Sequence, residues 1–379
     1  MNKQVFLRII FYFISSRLIF LLLTILASYL IPLREGYLGS QFDSKIPYLA
    51  WVWANMDGRH YLDMATKGYQ HTNFAFFPLY PILISLGGYI LPVSHIYVGI
   101  LISIIFMLAA MYIIYKIVVI DYSQKVAFSA LFFMSFLPFS FFYHAVYTDS
   151  LFLFLSTASF YFARKRNWIA AGIFAGFAFL DRFSAVALIP ALVVEWRLQY
   201  GDTKHKLKDL VKSFLKNAFP AILLCFLGLV VYMIYLQVYY GDFLLFQKAR
   251  SAWGQDKIVF PLQVIWRYLK IFWLVDKSLV EYWVAALEFI SVFVYFCLSF
   301  YVASKIRLSY GVFMAVLLLI VPLTGTFAGN PRYALHIFPA YIALALLFSS
   351  ARSHKLLFWL FLILGFILNG LFTRGYFIS

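Results

Sequence analysis

The stretch VFLRIIFYFISSRLIFLLLTILASYLI, residues 5–31, decides the class of fold. About 20 apolar residues in a helix cross a hydrocarbon core about 30 Å thick, and this stretch is longer than that. It is also too long for a cleaved signal peptide and has no small-residue cleavage site. We therefore expect a first membrane-spanning helix here.

Comparable apolar runs recur along the 379 residues, at 5–31, 95–119, 125–143, 149–164, 167–181, 184–197, 218–240, 283–303, 309–327, 333–349 and 355–373. The composition is 64% hydrophobic and 12% charged, against about 45–50% and about 25% in a soluble domain. Outer-membrane barrels show short alternating segments instead. The sequence predicts an all-α polytopic membrane protein, one domain over 1–379, with about eleven transmembrane helices.

The distribution of the net charge of +16 predicts the topology. If the segment 75–91 lies at the membrane surface and the N-terminus is inside, the cytoplasmic side carries +13 and the outer side +2, and Arg17 within the first helix supplies the remaining charge. Lys and Arg concentrate in cytoplasmic loops. The predicted cytoplasmic cations are Lys3, Arg8, Lys116, Lys125, Arg164, Lys165, Arg166, Arg197, Lys204, Lys206, Lys208, Lys212, Lys216, Lys305, Arg307, Arg352 and Lys355, and the acids are Asp121, Glu195, Asp202 and Asp209. The sequence has no basic stripe interleaved with polar residues, which is the pattern that would predict nucleic-acid binding.

Two long outer loops hold most of the residues suited to chemistry, at about 32–94 (which includes 75–91) and 241–282. Loops of this length are functional or disordered. Their tryptophans favour docking at the membrane interface: Trp51, Trp53, Trp253, Trp266 and Trp273. Both cysteines, Cys225 and Cys297, lie in apolar runs, which argues against a disulfide or a thiolate–metal site.

Asp57 is the first candidate for catalysis. It follows the first apolar run, and a carboxylate at the rim of an apolar cavity is suited to act as a general base. His60, three residues on, shares its helical face. The alternative for Asp57 is a helix N-cap, and for His60 a minority alternative is a metal site with Asp57 and Asp63.

A second group of ionisable residues lies at the predicted outer ends of spans. It comprises Asp149, Asp181, Arg182, Arg332, Tyr333 and, in the second loop, Lys248 and Arg250. The cations suit an anionic headgroup or phosphate. The alternatives are snorkelling of long side chains at the interface and attraction to anionic lipid without a specific site.

These motifs resemble the PIG-V-like mannosyltransferases of the GT-C superfamily, whose first pattern is roughly Trp-Asp-x-x-His-Tyr. The matching residues are Met56-Asp57-Gly58-Arg59-His60-Tyr61, Gly68-Tyr69, Ala75-Phe76-Phe77-Pro78-Leu79-Tyr80-Pro81, Tyr147-Thr148-Asp149-Ser150-Leu151-Phe152, Arg164-Lys165-Arg166-Asn167-Trp168, Ala171-Gly172, Gly176, Asp181-Arg182, Gly241-Asp242, Phe246-Gln247, Trp253 and Pro331-Arg332-Tyr333. Two positions depart from the family: Met56 replaces the usual Trp, and Asp149 the usual Glu.

The resemblance implies a GT-C-type fold with two surface helices in the first outer loop. It also implies transfer of a sugar, mannose in this family, from a polyprenyl- or dolichyl-phosphate carrier to a glycolipid or glycan acceptor, with inversion. The reaction would take place on the non-cytoplasmic face of a prokaryotic plasma (inner) membrane or of the endoplasmic reticulum, with no cofactor expected. Asp57 matches the catalytic acidic position. The expected substrate and donor-phosphate residues are His60, Asp149, Arg182, Lys248, Arg250, Arg332 and Tyr333.

A transporter or flippase of lipid-linked sugars is the competing class. Transporters commonly carry internal repeats and paired broken helices, with binding residues near mid-membrane. The sequence has no visible repeat, and its ionisable residues gather at one predicted face. A purely structural membrane protein leaves the placement of acids and arginines unexplained. The sequence therefore favours the enzyme.

Overall fold

The computed structural model describes residues 3–35, 37, 46–201, 207–255 and 257–378, and within these ranges the chain is helical with no β-strand. The predicted topology residues Asp202, Lys204 and Lys206 lie outside the described residues. The described α-helices are α1 Lys3–Leu30, α2 Tyr48–Trp51, α3 Asp57–Lys67, α4 Leu79–Ile90, α5 His95–Val118, α6 Gln124–Phe136, α7 Asp149–Arg164, α8 Trp168–Asp181, α9 Leu188–Tyr200, α10 Leu207–Lys216, α11 Ala218–Tyr240, α12 Leu245–Lys248, α13 Pro261–Leu274, α14 Val280–Lys305, α15 Leu308–Ile320, α16 Asn330–Tyr333, α17 Phe338–Leu347 and α18 Ala351–Thr373.

Within the described ranges, five helical segments are long and apolar enough to cross a membrane: Lys3–Leu30, His95–Val118, Leu207–Tyr240, Val280–Lys305 and Ala351–Thr373. The prediction of an all-helical integral membrane protein is confirmed. Several other apolar runs form shorter helices, such as α6 with 13 residues, which at 1.5 Å per residue is about 20 Å long. The count of eleven spans therefore stays a prediction.

One apolar run divides where the sequence predicts a single helix. The run 125–143 forms α6, which ends at Phe136, and then a 3₁₀ turn at Ser140–His144. Pro138 lies at the break, and proline removes a backbone donor and disfavours helical geometry at the residue before it. Arg17 of α1 donates to the carbonyl oxygens of Ser135 (3.3 Å) and Ser140 (2.8 Å). A charged residue inside the first span thereby satisfies backbone groups that the break leaves open.

The chain forms two compact units, and the first comprises residues 1–70, 80–154 and 344–378. Here α1 packs against α18 where glycine allows a close approach: a Cβ on Gly365 would lie 3.3 Å from the Phe20 ring, and one on Gly370 3.1 Å from the Cβ of Ala27. The buried amide of Asn369 donates to the Thr24 hydroxyl at 2.8 Å. This unit carries α3 and α4, the helices of the first predicted outer loop.

The second unit comprises residues 71–79 and 155–343. Its α8 and α11 pack against each other at Gly172, Gly176 and Gly228. A Cβ on Gly176 would lie only 2.5 Å from the Leu224 carbonyl oxygen. Small residues at this spacing let helices approach closely in membranes. That the two units act as one membrane domain stays a prediction.

Candidate active site

Asp57 is the first residue of α3, and Met56 occupies the N-cap position before it. The Met56 side chain makes no capping hydrogen bond, and Asp57 lies half-buried in the first helical turn. A carboxylate in this turn is stabilised by the positive end of the helix dipole. The structure thus differs from the simple alternative in which Asp57 is itself the cap.

The backbone just before Asp57 is held in an unusual conformation. Met56 has φ 53° and ψ −117°, and a non-glycine residue in such a region costs on the order of 1–3 kcal/mol. Buried Asn55 fixes the chain on its N-terminal side, since its Nδ2 donates to the Phe372 carbonyl (2.8 Å) and its carbonyl accepts from the Tyr147 hydroxyl (2.7 Å). The Asp57 carboxylate therefore projects from a backbone that several bonds determine.

Two of the sequence motifs meet in this unit. A Cβ on Gly58 would lie 3.2 Å from the Val146 carbonyl oxygen and 3.5 Å from the Tyr147 ring, so glycine permits this contact. The Val146 N–H donates to the Trp53 carbonyl at 2.8 Å. The Tyr61 ring packs edge-on against Tyr147, 6.4 Å between centroids. The 56–61 block and the block that begins at Tyr147 thus form one packed cluster.

Asp149 and His60 belong to the same unit. Asp149 is fully buried and begins α7, and His60 is half-buried on α3. Asp63, the third residue of the metal alternative, forms ion pairs with Arg59 (3.5 Å) and Lys67 (2.8 Å) along the helix. Among the described residues, no three His, Cys, Asp or Glu side chains come together as a metal site.

Arg182 and Tyr333 come together in the second unit around a histidine that the sequence did not single out. Nη1 of Arg182 lies 2.8 Å from Nε2 and 3.1 Å from Nδ1 of His336. The guanidinium carbon lies 5.6 Å from the centre of the Tyr333 ring, a cation–π distance. His336 is fully buried, and its ring lies 5.6 Å from that of Tyr333.

Arg182 and Arg332, the two arginines expected to bind phosphate, are enclosed by protein. Arg182 is 9% exposed and Arg332 8%, and Asp181 and Asn330 beside them are buried as well. A snorkelling side chain keeps its charged head in water or at the headgroups. Burial of two guanidinium groups instead favours a role in which they contact a partner inside the protein.

Lys248 and Arg250 are placed differently. The exposed Lys248 ammonium forms an ion pair with Asp242 at 2.6 Å, and this hydrogen bond, with one from the Leu244 N–H, holds the pKa of the Asp242 carboxyl below its usual range. Arg250 donates to the Gln255 side chain at 3.3 Å. Each of these two cations thus has a side-chain partner within its own loop.

Sequence reasoning missed the two histidines of these groups. His336 contacts Arg182. The His144 ring lies edge-on to Trp53 with the ring centroids 4.0 Å apart, and its Nδ1 lies 2.7 Å from Nη1 of Arg17. Both histidines lie in or beside apolar runs. A polar residue is costly in such a run and commonly functional, so this was a signal the sequence carried.

The comparisons agree with this architecture. Residues 75–235 match the family model of dolichyl-phosphate-mannose-protein mannosyltransferases, and no curated protein matches the sequence. The crystal structure of the Archaeoglobus fulgidus oligosaccharyltransferase tethered with an acceptor peptide superimposes with a TM-score of 0.50 and 14% identity, covering 99% of this chain and 56% of that one. The apo form of the same Archaeoglobus fulgidus protein has a TM-score of 0.49 and 14% sequence identity, and the match covers 100% of this chain and 57% of that one.

This chain thus spans little more than half the length of the archaeal enzyme. At 14% identity the likeness establishes the fold alone. The fold is of the oligosaccharyltransferase-like GT-C type, and together with the family match it supports the GT-C superfamily.

Proposed function

We propose that this protein is an inverting mannosyltransferase. It takes mannose from a polyprenyl- or dolichyl-phosphate carrier and transfers it to a hydroxyl of a glycolipid or glycan acceptor on the non-cytoplasmic face. The observation that carries the proposal is the half-buried carboxylate of Asp57, at the start of α3 on a conformationally fixed backbone. The GT-C-type fold and the match to a dolichyl-phosphate-mannose-dependent family support it.

The chemistry assigns different tasks to the two groups of residues. In this reaction the bond between the anomeric carbon and the carrier phosphate breaks, and the phosphate leaves as an anion that needs cations more than an acid. Arg182 and Arg332, buried and able to form paired hydrogen bonds, hold that phosphate in our proposal. Tyr333 and His336 fix the Arg182 guanidinium.

Asp57 takes the proton from the acceptor hydroxyl as that oxygen attacks the anomeric carbon. Glycosidases need two carboxylates because their leaving group must be protonated. A phosphate leaving group removes that need, so one carboxylate suffices and a single in-line displacement inverts the configuration. His60 and Asp149, on the same unit, serve as substrate-binding residues in this proposal.

The direct test uses purified protein in detergent with polyprenyl-phosphate mannose and candidate acceptors. We expect free carrier phosphate and mannosylated product in equal amounts, with inverted anomeric configuration by NMR. Carrier that crosses the bilayer of reconstituted vesicles without any release of carrier phosphate would instead identify a flippase. If carrier phosphate were released from polyprenyl-phosphate glucose and not from polyprenyl-phosphate mannose, the protein would still be a glycosyltransferase, but its donor sugar would be glucose.

A further inference from the structure

Asn330, which the site described above does not use, carries a buried primary amide that has no partner among the described residues. Its side chain is 1% exposed. Neither Oδ1 nor Nδ2 has a hydrogen-bond partner among the described residues. Burying a polar group without a partner destabilises the folded protein. An amide kept at such a position therefore points to a ligand that completes its hydrogen bonds.

The position of Asn330 in its segment connects it to Arg182 and to the two residues Tyr333 and His336 that contact Arg182. The helix α16 begins at Asn330 and continues directly into a 3₁₀ turn at Ala334–His336. Side chains three residues apart share a face in such a segment, which aligns Asn330 with Tyr333 and His336. Both of those residues contact Arg182.

The chemistry of an amide restricts the ligand. Oδ1 accepts hydrogen bonds and Nδ2 donates them, so a matching ligand must both donate and accept. An ionised phosphate only accepts and would satisfy Nδ2 alone. Neighbouring sugar hydroxyls do both. We propose that Asn330 binds hydroxyl groups of the donor sugar, beside the arginines that hold its phosphate, and thereby selects the sugar; this inference rests on the proposed function.

The first experiment measures stability without donor. Asn330→Leu removes an amide that has no partner and should raise the Tm of the protein in detergent. The matched control is Asn369→Leu, since Asn369 is also buried but donates to Thr24 at 2.8 Å, and it should lower the Tm. A lower Tm for both Asn330→Leu and Asn330→Ala would identify a structural amide and overturn the inference.

The second experiment measures sugar selection with polyprenyl-phosphate mannose and its 2-, 3-, 4- and 6-deoxy analogues. The wild type should use at least one analogue about 10-fold less efficiently in kcat/KM, the loss expected for one hydrogen bond. Asn330→Leu should use mannose poorly and no longer discriminate against that analogue, whereas Asn369→Leu should discriminate like the wild type. Unchanged discrimination in Asn330→Leu and Asn330→Ala would overturn the inference alone. A wild type that releases no carrier phosphate from any donor would instead overturn the proposed function.

Discussion

Asp57 is a half-buried residue that begins α3, and hydrogen bonds of Asn55 hold the backbone just before it. Asp57→Asn keeps the size of the side chain and one acceptor oxygen but cannot take up a proton. Loss of a positioned general base reduces the rate by about 10²–10⁴-fold. We expect this variant to fold and bind donor yet to transfer mannose at such a reduced rate, measured as single-turnover kinetics with saturating donor.

Asp63→Asn is the matched control for that experiment, since Asp63 lies on the same helix. Its ion pairs with Arg59 and Lys67 are at the helix surface, where such pairs contribute about 0–1 kcal/mol. Turnover should stay near that of the wild type. Near-normal transfer by Asp57→Asn would leave Asp57 as a residue of the helix terminus and the base unidentified.

The buried arginines make a second prediction at the same scale. Arg332→Lys retains the charge but loses the planar fork that contacts phosphate through two bonds. A lost charged hydrogen bond is worth about 1.5–3 kcal/mol, so we expect KM for the donor to rise by about 10–100-fold. Steady-state kinetics of Arg332→Lys and Arg182→Lys measure this.

Lys248→Ala provides the contrast, because the Lys248 ammonium is exposed and already paired with Asp242. Its donor KM should change less than twofold. Unchanged donor KM in both arginine variants, together with a large increase in Lys248→Ala, would move the phosphate site to the second loop.

The sequence singled out Asp57 and Arg182 as candidates because charged residues are rare in so apolar a chain. It did not reveal how Asp57 is held. Asn55 bonds to Phe372, 317 residues away, and Tyr147 bonds back to Asn55 across 92 residues. Such bonds leave no local pattern. The strained φ of Met56 likewise depends on this tertiary network.

Among the elements, the tight contact between α8 and α11 gives the third prediction. A side chain at Gly176 would collide with the backbone of Leu224, since even its Cβ would lie 2.5 Å from the carbonyl oxygen. Overpacking of this kind costs about 1–3 kcal/mol. Gly176→Val should therefore lower the free energy of unfolding by about that amount, measured by denaturation in mixed micelles.

Ile173→Phe adds comparable bulk on the exposed face of α8, where Ile173 has open surroundings. Its stability should stay close to that of the wild type. Equal stability of Gly176→Val and the wild type would mean that α8 and α11 are not in contact at this point. Equal loss in both variants would indicate a general sensitivity of α8 to volume.

The helix limits show where apolar run length was sufficient to predict a helix and where it was not. The runs 149–164 and 218–240 became helices with those same limits, and left-handed Gly241 directly follows the second of them. The helix in the run 125–143 was interrupted at Pro138. The hydropathy of the run alone does not predict this break. The run 309–327 ended as a helix at Ile320, before Pro322. In both cases a proline in the sequence marks the point before which the helix ends.

For the whole molecule, composition and run length were enough to predict an integral membrane protein of helices. They do not fix how many helices cross the bilayer, since that depends on how short helices such as α6 and α17 are tilted and packed. The motifs alone indicated the GT-C superfamily, which the fold and the family match support. Composition and run length do not identify the donor sugar, because sugar selection depends on contacts between individual side chains and the substrate.

The topology of the first outer loop gives the last prediction. The helix α4 has 12 residues, about 18 Å at 1.5 Å per residue, which is short of a hydrocarbon core of about 30 Å. If α4 lies at the surface, only α5 crosses between Lys67 and Gln124, and these residues face opposite sides. In a background that lacks Cys225 and Cys297, an impermeant maleimide added outside should label Lys67→Cys and not Gln124→Cys. Labelling of both from outside would mean that α4 crosses, and it would reverse every later loop and the charge asymmetry with it.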